Sequence, residues 1–169
     1  MSAPAQAETL RQEYERLCDA QAAVESIARR GGEIAPEIRQ QYTATAARLR
    51  EILAVPPDGY TLPRAAADLV AHAAAHGWQT LVQWTPPGWD GEPYVRVQVG
   101  RRLTAEEAAD HPAGVYLYEL TWHSRDCPPG RLRRFGSGLA RTPDRPAAHG
   151  APSVRAIRAV IAAHPAPTL

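Results

Sequence analysis

The chain predicts an α+β protein: an N-terminal antiparallel helical hairpin, then a helix, a three- to four-stranded antiparallel sheet and a C-terminal helix. Three observations carry this reading. Apolar residues recur at helical spacing up to Pro56-Pro57, the period changes from about 3.6 to 2 after Gly77, and helical spacing returns near Val154. An apolar content of 44% over 169 residues supplies enough material for a real core.

Over residues 7–30, Leu10, Tyr14, Leu17, Ala20, Val24 and Ile27 mark one face of a first helix, and Gly31-Gly32 breaks it. Ile34, Ile38, Tyr42, Thr45, Leu49, Ile52 and Leu53 form a second stripe that ends before Pro56-Pro57-Asp58-Gly59. Two amphipathic helices touching along one seam leave apolar surface uncovered. The hairpin, residues 1–58, is therefore expected either to dock on the C-terminal domain or to pair with a second copy in a four-helix or coiled-coil arrangement.

The second expected domain, residues 59–169, starts with a helix from Arg64 to His76. Pro63 opens it, Ala66, Leu69, Val70 and Ala73 face inward, and Gly77 terminates it. Strand patterns come next. Trp78, Thr80, Val82 and Trp84 alternate with a second set of side chains, then Val95, Val97 and Val99 do, then Tyr116, Tyr118, Leu120 and Trp122. Residues 85–93 make a turn-rich loop too long for a tight hairpin, and Thr104-Ala-Glu-Glu107 reads as a capping box. Arg131 to Phe135 is expected as a fourth, edge strand, where charge discourages unwanted pairing. The glycine- and proline-rich stretch from Gly136 to Ala151 reads as a loop, before a last helix with Val154, Ile157, Val160 and Ile161 inside and His164-Pro165 at its end.

Charge is the main functional signal. All nineteen basic residues are arginine, which GC-rich codon usage explains, but codon usage does not explain clustering. From Thr121 onward eight arginines face two acids, Asp126 and Asp144, giving a formal +6 in a chain whose total is +1. Guanidinium groups meet phosphates with planar, bidentate contacts, so Arg131, Arg133, Arg134, Arg155 and Arg158 are the expected phosphate ligands. Arg96, with Gln83 and Gln98 on the polar sheet face, is placed to reach bases or sugar edges. The expected partner is DNA or RNA, and the expected function is that of a non-enzymatic accessory protein. The alternative is a protein-interaction adaptor that uses the hairpin stripe as its recognition surface, the arginines only solubilising the second domain.

The order helix, three strands, helix over roughly residues 62–164 is similar to the layout of double-stranded-RNA-binding domains. That resemblance implies basic residues at the start of the last helix meeting phosphates, and a loop between the first two strands entering a minor groove. Arg155 and Arg158 match the first element in position. The 85–93 loop departs from the second, carrying Asp90 and Glu92 and no base, and the family's lysine-rich helix start is missing.

Other chemistries find less support. His72 and His76 stand one helical turn apart and His123 with Cys127 adds two more possible ligands, but a metal site needs all four to converge. Ser137 lacks the wider glycine spacing of a nucleophile elbow. Asp90 with Glu92, and Glu106 with Glu107, fall where solvent is plentiful. No glycine-rich phosphate loop or dinucleotide fingerprint occurs, so no cofactor and no metal are assigned. An enzyme would need a cleft joining His123, Asp126 and Cys127 to an arginine. The four tryptophans divide: Trp78, Trp84 and Trp122 are expected in the core, and Trp89 in a loop. No apolar run reaches the length of a membrane span and MSAPAQAETL lacks a secretory pattern, while Cys18 and Cys127 fit free thiols; a cytoplasmic location is expected.

Overall fold

The structure is a computed structural model and describes residues 3–110, 114–143, 145–149 and 152–166. Its elements are α1 (Ala3–Arg29), α2 (Pro36–Leu53), α3 (Arg64–Ala75), β1 (Gln79–Trp84), β2 (Tyr94–Arg101), α4 (Ala105–Asp110), β3 (Tyr116–His123), β4 (Arg133–Thr142), β5 (Arg145–His149) and α5 (Val154–Ala163). The fold is α+β, with three N-terminal helices, an antiparallel sheet and a C-terminal helix. No helix among the described residues is long and apolar enough to cross a membrane.

Two contact units divide the chain. The first holds residues 1–57 together with the loop Gln83–Gly91; the second holds Asp58–Val82 and the residues from Glu92 onward.

In the first unit α1 ends as its glycines require. Gly31 takes φ 73°, and the amides of Gly31 and Gly32 donate to the carbonyls of Ala28 and Ile27, capping the last turn. Pro36 then opens α2 at its first position, where a missing N–H costs nothing. The helices are pinned antiparallel by Arg48, whose Nε and Nη2 donate to Glu13 at 2.7 and 3.0 Å, and by Gln21 Nε2, which donates to the Tyr42 carbonyl at 3.0 Å. Tyr42 Oη donates to Glu25 Oε1 at 3.1 Å. The loop packs with this unit: Gly88, at φ 73°, lies so close to the Arg11 side chain that a Cβ there would clash with its Cδ.

In the second unit the alternation of side chains sets the layers. Val95, Val97 and Val99 of β2 and Tyr116, Tyr118, Leu120 and Trp122 of β3 are buried, and the intervening residues are half-buried. Val95 pairs with Trp122, Val97 with Leu120 and Val99 with Tyr118, so one face of the sheet is a continuous apolar surface. Leu69 and Ala73 of α3 and Ile157 and Ile161 of α5 are fully buried, and α3 packs against both α5 and β2. Trp78 and Trp122 here, and Trp84 in the first unit, are buried, as the alternation predicts, and Trp89 in the first unit's loop is exposed. Gly77, at φ 74°, closes α3 with amide bonds from Gly77 to Ala74 and from Trp78 to Ala73.

The sheet has five strands in sequential order. The stretch Gly136–Ala151, read from composition as a loop, instead supplies most of β4 and all of β5. Arg133 therefore begins an inner strand, with β3 on one side and β5 on the other. Pairing overrides composition here: Leu139 and Ala140 each have a partner on β3 and another on β5, which offsets the weak strand preference of Gly136 and Gly138. A register shift between Leu120 and Trp122 absorbs the irregularity.

One polar cluster holds the end of this layer. Arg101 continues the inward row of Val95, Val97 and Val99, and its side chain is only 4% exposed. Its Nη1 and Nη2 donate to the two carboxylate oxygens of Glu107 at 2.8 and 2.7 Å, and its Nε donates to the His164 carbonyl at 2.9 Å. Trp78 Nε1 donates to that same carbonyl at 2.8 Å, and the guanidinium lies 4.7 Å from the Tyr116 ring centroid. Glu107 is also the return arm of the capping box, accepting from the Thr104 amide at 2.8 Å while Thr104 Oγ1 accepts from the Glu107 amide at 3.2 Å.

Candidate nucleic-acid interface

The last helix begins at Ser153, whose hydroxyl accepts from the Ala156 amide at 3.1 Å and so satisfies one of the free amides of the first turn. Burial of Ile157 and Ile161 fixes the rotation of α5 about its axis and leaves Arg155 and Arg158 on its exposed flank. On α3, Ala65, Asp68 and His72 recur at intervals of three and four and share one face. The two flanks form an open groove of about 470 Å³, lined by Ala65, Asp68, His72, Arg155, Arg158 and Ala159 together with Val154. His72 Nε2 lies 3.1 Å from the Arg158 carbonyl, which links the walls.

Charge in the groove is unbalanced. Asp68 already faces Arg64 at 3.8 Å, and neither Arg155 nor Arg158 has an acid within ion-pair distance among the described residues. Arg134 lies on the same side of the sheet. It pairs across the ladder with buried Trp122, and its Nη2 donates to the Pro152 carbonyl, just before α5, at 2.8 Å.

The remaining candidates lie elsewhere. Arg133 pairs across the ladder with His123, on the opposite face from Arg134, and its guanidinium faces Asp126 at 3.7 Å. Arg96 is on that opposite face too, where its Nε stands 3.4 Å from Glu119 and Gln98 Nε2 donates to the same carboxylate at 2.6 Å. Arg131 is exposed in the turn before β4, its amide donating to the Pro128 carbonyl. The side chains of Ser137 and Arg145 lie outside the described residues. The six arginines singled out from sequence thus divide among two sheet faces and a turn; three of them, Arg134, Arg155 and Arg158, stand on the helical side.

His72 and His76 lie with ring centroids 4.3 Å apart, but they do not form one ligand set with His123 and Cys127 among the described residues. His76 Nδ1 lies 2.8 Å from the His72 carbonyl, and among the described residues no group of three or more His, Cys, Asp or Glu side chains is arranged to hold a metal ion. Cys127 Sγ donates weakly to the His123 carbonyl at 3.9 Å. Burial, then Arg125, hold the His123 imidazole below its ordinary pKa, with Glu92 opposing them.

His72 was singled out from sequence only as a possible metal ligand, and Arg101 was not singled out at all. His72 enters the groove because α3 and α5 meet there, a long-range fact. Arg101 did have a local signal, since it extends an apolar row by one more inward step and stands six residues before the glutamate of a capping box. No family model, curated protein or solved structure matches this chain.

Proposed function

We propose that this chain is a non-enzymatic accessory protein that binds nucleic acid through the groove between α3 and α5, with Arg155 and Arg158 as the principal phosphate ligands. One observation carries the reading: two arginines flank an open groove and neither is neutralised by an acid among the described residues. Arg64 offsets the one acid of the groove, Asp68, and Arg134 supports the approach to α5. Arg96 and Arg133, each facing a carboxylate on the other side of the sheet, contribute little to the same contact.

Binding of this kind is driven by counterion release, so affinity falls steeply with salt. The test is a fluorescence-anisotropy titration of labelled DNA and RNA oligonucleotides at several salt concentrations. Each arginine in phosphate contact contributes about one unit to the slope of log affinity against log salt, so Arg155→Gln with Arg158→Gln should lower the slope by about two. Arg96→Gln should leave it nearly unchanged. No binding at low salt, or a slope that the paired substitution does not alter, sinks the proposal. The adaptor reading is favoured by the exposed Leu10, Ile27 and Ile38 of the hairpin, and indifference to nucleic acid would favour it further.

A further inference from the structure

The two helices of the first unit bury few of their side chains. Among residues 8–29 of α1 no side chain is buried, and α2 buries only Thr45 and Ile52, even with the 83–91 loop packed alongside. Where the helices approach their connecting turn, an open cavity of about 300 Å³ is lined by Val24, Ala28, Ile34 and Tyr42, with Glu25 on α1 and Arg39 on α2. Ile27, one turn from Val24, is 41% exposed, and Ile38, beside Arg39, is 38% exposed. Large aliphatic side chains at this exposure, neighbours in sequence of the cavity's lining on both helices, leave apolar surface there without a cover.

We infer that the cover is the same region of a second copy, forming an isologous four-helix contact. The charge at the groove argues for this occupant. One carboxylate stands on one helix and one guanidinium on the other, a neutral and self-complementary pair. A two-fold axis brings residue i against j and j against i, so Glu25 meets the partner's Arg39 twice over. A polyanion finds no excess positive charge here. Two hairpins of this type, each with an apolar seam along both helices, are the two halves of an antiparallel four-helix bundle, the arrangement that hides both seams. The Glu25 carboxylate is already oriented, since Tyr42 Oη donates to its Oε1 at 3.1 Å. Arg39 has no side-chain partner among the described residues.

The inference is tested on the full chain without nucleic acid, by sedimentation equilibrium across a concentration series. The wild type should show a concentration-dependent rise to twice the chain mass, and Ile27→Glu should hold the chain as a monomer. Glu25→Arg alone and Arg39→Glu alone should each weaken association at least about tenfold, by placing like charges together. The double swap E25R/R39E should restore it. Circular dichroism and Ile27→Ala, which removes apolar area without adding charge, separate loss of association from loss of folding. A chain that stays monomeric at every concentration overturns the proposal and leaves the region to another occupant. A dimer indifferent to both single swaps, or single swaps that weaken it without rescue by the double, likewise overturns it.

Discussion

Arg101 shows how much one side chain can hold. Its guanidinium is nearly sealed from solvent, while its partner Glu107 keeps 27% of its side chain exposed. Removing either partner is therefore asymmetric. Glu107→Gln leaves a buried cation without its counter-charge and should cost about 3 kcal/mol or more. Arg101→Met leaves a carboxylate that can turn to water and a methionine that fits an apolar row, and should cost clearly less. Urea unfolding of the two variants measures the difference. The same pair sets an acid limit. The bond from Arg101, reinforced by Thr104, lowers the Glu107 carboxyl from its ordinary 4.5 to about 2. A depressed carboxylate stabilises the fold above its unfolded pKa, and the contribution is lost as pH falls from 4.5 toward 2. Allowing for partial exposure the loss is on the order of 2 kcal/mol, and a pH series of unfolding midpoints should show it in the wild type and much reduced in Glu107→Gln.

Among the elements, those with a strict period of their own were legible in the sequence. The buried rows of β2 and β3, the inward faces of α3 and α5, and the capping box at Thr104 lie where their spacing puts them. The start of β4 was legible over Arg133–Phe135, but its continuation to Thr142 and β5 were not, because their stability is not local. Phe-Gly-Ser-Gly-Leu carries two glycines, and the strand it forms depends on partners on both sides, one of them more than a dozen residues back. The candidate site divides in the same way. That Arg133 and Arg134 point to opposite faces follows from a period of 2, whereas the pairing of Arg96 with Glu119 depends on cross-strand register, which no local pattern states. The start of α5 offers a direct check on an element that is legible. Ser153→Ala removes the hydroxyl that accepts from Ala156 and should destabilise the second unit by about 1 kcal/mol in chemical unfolding. Because Arg155 sits in that first turn, the substitution should also weaken nucleic-acid binding modestly without changing its salt slope.

For the whole molecule, two contact units carry two separate proposals, and each can fail alone. Arg155→Gln with Arg158→Gln changes the second unit only and should leave the sedimenting mass at a given concentration unchanged. Ile27→Glu changes the first and should leave the per-chain salt slope on a short oligonucleotide as it was. A variant that moved both readouts would show the units to be coupled.

The sequential order of the five strands has a consequence for synthesis. Every strand pairs with the one made just before it, so the sheet can grow as the chain emerges, with no long wait for a distant partner. Its apolar face cannot close on the same schedule. α3, made first, packs against β2, but Ile157 and Ile161 come from α5 and the carbonyl that receives both Trp78 and Arg101 belongs to His164, so the cover is complete only once residue 164 has been added. At roughly 5–20 residues per second, the eighty or so residues between Trp84 and His164 take about 4 to 16 seconds to add, the interval before that cover is complete.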